Sequence, residues 1–132
     1  MIITNKMKRY LELAKRQAYN SKFEHKHGAI LVRGGQVLNA AHNNVLYNSL
    51  AHRFKKKRQV TDRGSNHAEI KCILGINRET TCGSDIIVVR INNQGDFRLS
   101  KPCLMCVDVL RFVGIKRVFY SVNNKEIGVL KL

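Results

Sequence analysis

From Thr4 to about Asn20, apolar residues at Met7, Tyr10, Leu11, Ala14 and Ala18 recur at helical spacing between Lys6, Lys8, Arg9, Lys15 and Arg16. This spacing predicts an amphipathic helix with a basic outer side. The pattern then turns strand-like. "GAILVRGGQVLNAAHN", residues 28 to 43, reads as two strands joined at Gly34 and Gly35, whose missing side chains permit the positive backbone angles of a tight hairpin turn. Residues 44 to about 65 hold no sustained period. Structureless stretches of that length in compact domains are often functional, so a lid or binding loop is expected there.

Periodicity resumes after Ser65 or Asn66, either of which can cap a helix through His67, Ala68, Ile70, Cys72, Ile73 and Leu74 until Gly75 and Asn77 weaken it. "DIIVVRI", residues 85 to 91, is too continuously apolar and β-branched for a surface helix and predicts a central buried strand. After a turn at "NNQGD", Pro102 suits a helix start, and "CLMCVDVLRFV" carries apolar residues on most faces, which predicts a buried helix stopped by Gly114. "RVFYSV" and "EIGVLKL" then read as strands about a turn at Asn123 and Asn124. So short a connection forces antiparallel pairing, because parallel crossovers need a dozen residues or more. The order αββαβαββ describes an α/β sandwich on one five-stranded mixed sheet.

A chain of 132 residues with 44% hydrophobic content buries one core, so residues 1–132 are expected to form a single domain. No apolar run is long enough to cross a bilayer, and MIITNKMKR lacks the apolar centre of a secretory signal. A soluble intracellular protein, cytoplasmic or nuclear, without a membrane partner, is the expectation; homo-oligomerisation stays open. Lys and Arg number 24 against 9 acids, a formal charge of +15. Such a surface attracts polyanions by counterion release and makes nucleic acid the first partner to consider, although a basic surface also serves solubility alone. "RFKKKR" concentrates that charge, offering Arg53, Lys55, Lys56, Lys57 and Arg58 as nucleic-acid contacts, with Tyr47, Phe54 and Phe97 as residues able to stack a base.

Four cysteines in a chain with a good core and no leader point to metal binding or buried thiols rather than to disulfides. Cys103 and Cys106 lie three apart at a helix opening, a preformed half-site for a borderline-soft ion such as zinc. Cys72 and Cys82 read as small buried or half-buried residues. Of the histidines His25, His27, His42, His52 and His67, only His67 shares the placement of the cysteine pair at a helix start; His42 and His52 read as surface or loop residues. One His and two Cys leave a fourth tetrahedral position for water, the mark of a catalytic zinc, which lowers that water's pKa toward ~7. Glu69, two residues after His67, is then placed to move protons without ligating the metal.

"HAE" at 67 to 69 with "PCLMC" at 102 to 106 resembles the paired signature of the zinc-dependent nucleobase deaminases, the cytidine and deoxycytidylate deaminase-like superfamily. The resemblance extends over the first helix, the hairpin and the strand between the motifs. It implies a three-layer sandwich with helices on both faces, one zinc per chain, and a hydrolase acting on a nucleobase. It also implies substrate contacts at Asn43, toward a sugar, and at Ala68. Lys71 stands where deoxycytidylate deaminases often carry Asn, and His67 where free-cytidine deaminases usually carry Cys. The hairpin at the C-terminal end differs from the tRNA adenosine and polynucleotide cytidine deaminases and resembles the branch of free-cytidine deaminases and bacterial deaminase toxins. Charge favours cytosine in a nucleic acid strand. Free cytidine or deoxycytidylate, adenosine in tRNA, and an inactive zinc-stabilised binding module are the alternatives.

Overall fold

The structure, a computed structural model, describes residues 3–43 and 67–132. Helix α1 (Asn5–Ala18) is followed by the hairpin β1 (Lys26–Arg33) and β2 (Gln36–His42). Then come α2 (Ala68–Ile73), α3 (Arg78–Thr81), β3 (Asp85–Ile91), β4 (Phe97–Arg98), α4 (Leu104–Phe112), β5 (Arg117–Ser121) and β6 (Ile127–Lys131). The sheet runs β2-β1-β3-β5-β6, with β4 added to the end of β3. β3 and β5 pair in parallel, while β1 with β2, β1 with β3, and β5 with β6 pair antiparallel. The hairpin at the C-terminal end therefore stands as expected.

Alternation along the strands divides the core into two layers. Ile30, Val32, Ile87, Val89, Ile91 and Phe119 pack under Tyr10, Leu11, Ala14 and Ala18 of α1. Ala29, Leu31, Ile86, Val88 and Val118 face the other way, against Ile70 and Ile73 of α2 and Met105, Val109 and Leu110 of α4. Each buried aliphatic side chain contributes roughly 1.5–3 kcal/mol, so both helix layers are anchored by the same strands. Gly28 lets α1 close on β1. A Cβ there would stand 2.6 Å from the Ala18 amide nitrogen and nearer still to the Ala14 carbonyl oxygen. At the hairpin turn, Gly34 and Gly35 take φ of 58° and 79°, as their position between the strands requires.

Five expectations change. The sheet has a sixth strand, β4, only two residues long, formed where Phe97 and Arg98 pair with Ile91 and Arg90. A four-residue helix, α3, follows the weakened end of α2, because the Asn77 side chain accepts from the Thr80 amide at 3.1 Å and restarts the turn. Helix α4 is buried on one face rather than most of its surface, with Leu104 and Phe112 exposed. Pro102 lies outside α4, before its cap Cys103, instead of in its first turn. Cys72 is buried as expected, but Cys82 is exposed.

Candidate active site

Two helix starts meet over one end of the sheet. His67 is the N-cap of α2 and Cys103 the N-cap of α4, both in extended backbone, and neither side chain makes a capping bond. Cys106 lies one turn inside α4. His67 Nδ1 stands 3.1 Å from Cys106 Sγ and 3.7 Å from Cys103 Sγ, and the two sulfurs are 3.5 Å apart. A tetrahedral zinc with Zn–S of about 2.3 Å and Zn–N of about 2.0 Å needs edges of about 3.5–3.8 Å, so this triangle fits the ion with adjustments of a few tenths of an ångström. A sulfur separation of 3.5 Å is far outside a disulfide bond. Among the described residues, this trio is the group of His, Cys, Asp or Glu donors close enough to hold a metal.

The trio's protonation is already biased toward metal. Hydrogen bonding from the Cys106 thiol, helped by His67, pulls Cys103 down to about 4, whereas Cys106 is raised by holding that bond and by its burial. The pair therefore keeps one proton for a metal to displace. Glu69, in the first turn of α2, is 4% exposed, and burial raises its carboxyl above the ordinary range. Burial thus favours the protonated carboxyl more than exposure to water would, as suits a group that takes up and hands on protons.

The segment ahead of the cysteines is fixed by buried hydroxyls. Ser100 Oγ donates to the Val88 carbonyl at 2.9 Å and accepts from the Ser121 amide at 2.8 Å, while Ser121 Oγ donates to the Arg98 carbonyl at 2.7 Å. β3 and β5 thus position the approach to Cys103.

A cavity of about 390 Å³ opens on this site, lined by His27, Asn43, His67, Glu69, Ser100 and Cys103. Phe23, Glu24, His25 and Lys101 complete its wall. Asn43 is tied in place: its Oδ1 accepts from the His27 amide at 3.1 Å and its Nδ2 donates to the His25 carbonyl at 2.9 Å. Burial pushes His27 down to about 4, with Arg90 adding repulsion, so it faces the cavity uncharged. Arg90 Nη2 lies 2.7 Å from His25 Nδ1 at the rim.

The structure brings together His67, Glu69, Cys103, Cys106 and Asn43. Ala68 packs in the core behind the cavity, outside the residues that line it. Phe97 belongs to the α1 layer, 5.5 Å under the Lys15 ammonium, and is not a stacking platform at the cavity. Arg53, Lys55, Lys56, Lys57 and Arg58, with Tyr47, His52 and Phe54, lie outside the described residues. Phe23, His25, His27, Ser100 and Lys101 were missed as cavity residues. The one available signal was the two histidines in "FEHKHG" just ahead of the hairpin.

A mixed sheet with one histidine and two cysteines at paired helix starts, beside a buried glutamate, defines a zinc-dependent deaminase, a hydrolase of the C–N bond. Residues 3–122 match the family described as the cytidine and deoxycytidylate deaminase zinc-binding region, and the chain belongs to that family. No curated protein matches the chain. Among the described residues no helix is long and apolar enough to cross a membrane.

Proposed function

We propose that this protein hydrolyses cytosine to uracil in single-stranded nucleic acid, with Glu69 as the proton shuttle. The observation that carries the chemistry is the placement of buried Glu69 in the same cavity as His67 and Cys103. Zinc, when held by His67, Cys103 and Cys106, supplies a Lewis acid that makes water reactive near neutral pH. Glu69 takes a proton from the attacking water and delivers it to the ring nitrogen. It then takes the second proton, from the hydroxyl now on the ring carbon, and gives it to the amino group, so that the C–N bond breaks, ammonia leaves and the carbonyl of uracil forms. His27, uncharged, and Asn43, held by two hydrogen bonds, line the wall that orients the nucleoside.

A cavity of about 390 Å³ suits one nucleoside and excludes a paired base, so a single strand avoids the few kcal/mol of flipping. The net charge of +15 and the exposed Lys8, Arg9 and Arg16 of α1 exceed what one nucleotide's phosphates would use. A second reading, a free cytosine nucleotide, is favoured by the local cations Lys101 and Arg90 with His25 at the cavity rim.

Zinc-loaded protein should be incubated with cytidine, deoxycytidylate, single-stranded DNA and RNA, duplex DNA and tRNA, with uracil and inosine as readouts. Uracil in single strands supports the proposal. Uracil only from free nucleotides selects the second reading, inosine in tRNA redirects it to adenine, and no product from any substrate leaves a zinc-stabilised binding module. Glu69→Gln should retain zinc and lose turnover by at least about 100-fold; unchanged turnover removes Glu69 from the mechanism.

A further inference from the structure

A second cavity, of about 440 Å³, lies on the α1 side of the sheet, between the start of α1, the hairpin turn and the first residues of β3 and β5. Its wall carries Lys6, Arg33, Lys116 and Arg117 against one carboxylate, Asp85. That carboxylate is already engaged, because Arg117 Nε and Nη2 hold its two oxygens at 3.1 and 2.8 Å. Arg33 gives Nη1 to the Glu79 carbonyl at 2.6 Å and keeps the rest of its fork. The Lys6 ammonium stands 5.9 Å over the Tyr10 ring, and a Cβ on Gly35 would lie 3.7 Å from it, so it reaches from α1 toward the hairpin turn.

Tyr10 supplies an independent pointer. It lines this cavity at 4% exposure, and among the described residues its hydroxyl is the buried side-chain polar atom without a hydrogen-bond partner. Leaving such a group unsatisfied costs about 1–3 kcal/mol, which an acceptor would recover if a small shift of the side chain opened the hydroxyl to the cavity.

We propose that this cavity is a second anion site that binds phosphate groups. Ammonium and guanidinium donors spread around a space this wide match an acceptor with several oxygens better than they match a lone carboxylate. The dipole of the 14-residue helix α1, which opens at Thr4 on the same wall, adds to the attraction. Asp85 in this wall and Arg90 beside the deaminase cavity are five residues apart on β3, roughly 17 Å of strand. The phosphate of a nucleotide whose base sits at the metal cannot span that distance. The occupant is a more distant phosphate of the same strand or a separate phosphate-bearing molecule.

Calorimetric titration of the full chain with tripolyphosphate tests the site without using turnover. Lys6→Ala combined with Lys116→Ala should weaken binding at least about tenfold, and Tyr10→Phe, which keeps the ring, severalfold. The source is read from a long single-stranded oligonucleotide. Loss of two phosphate contacts in the double variant should flatten the log K against log salt slope by about 1.4. An unchanged slope with weakened tripolyphosphate binding assigns the site to a separate phosphate-bearing ligand. Tripolyphosphate affinity equal to wild type in both variants overturns the proposal, whatever the deaminase assays give.

Discussion

The helices on the two faces of the sheet begin in opposite ways. On one face α1 begins at Thr4, whose hydroxyl accepts from the Met7 amide at 3.1 Å. On the other, α2 and α4 begin at His67 and Cys103, which occupy the cap positions without capping. A side-chain cap is worth roughly 0.5–2 kcal/mol, so the second face gives up that stabilisation twice. What it gains is a metal donor held at the chain's entry into each helix, the two facing one another. Both faces bury an apolar layer; the second also carries three donors that a zinc ion would tie together.

Removing a metal ligand should separate the faces most sharply. Cys106→Ala should lower zinc affinity by more than about 100-fold and abolish turnover, as read by metal content after chelator competition; zinc retention near wild type would mean that the three-donor site is wrong. Next in size is Gly28→Ala, which forces α1 off β1 and should cost about 3 kcal/mol or more in urea unfolding. A loss within about 0.5 kcal/mol would show that α1 is not pinned there.

The pH profile follows in size. His27 titrates at about 4 in the folded chain against about 6.5 unfolded, so between those values the unfolded chain binds more protons. Stability should fall as pH drops from 6.5 to 4, by up to about 3 kcal/mol, and stay flat with respect to this group above 6.5. His27→Asn should remove that part of the acid limb in unfolding curves. The smallest pair of effects tests the caps directly. Thr4→Ala should cost about 1 kcal/mol without altering zinc affinity, whereas His67→Ser should stabilise metal-free protein by about 1 kcal/mol while destroying zinc binding. Destabilisation of metal-free protein by His67→Ser would deny that function displaced a cap.

The reaction centre was legible because its chemistry is written in short spacings: His67 to Glu69 and Cys103 to Cys106 each fall within one turn. The order of the main elements along the chain was legible for a similar reason, since "DIIVVRI" and the Gly34–Gly35 turn carry local signals. The rest of the cavity depends on pairing between distant segments. His27 reaches its place because it pairs with Arg90 in the β1 to β3 register, and Ser100 because it bonds Ser121. No window of sequence holds those partners together. The short elements escaped for another reason: α3 and β4 span four and two residues, too few for a period to show. In α4 the apolar residues overstated burial, because Leu104 and Phe112 face outward.

The parallel pairing of β3 with β5 has a consequence for the order of events as the chain matures. The connection between them carries both cysteines, while His67 precedes β3 and lies 36 residues before Cys103. A hairpin such as β1 with β2 can form from neighbours alone, but a parallel crossover must close a long loop first and ranks among the slow contacts of folding. We expect the ion to be captured late, by a chain whose sheet is already largely assembled. Zinc would then act as a final latch on a nearly finished molecule, and a newly made chain would pass through a stage with its thiols open to oxidation.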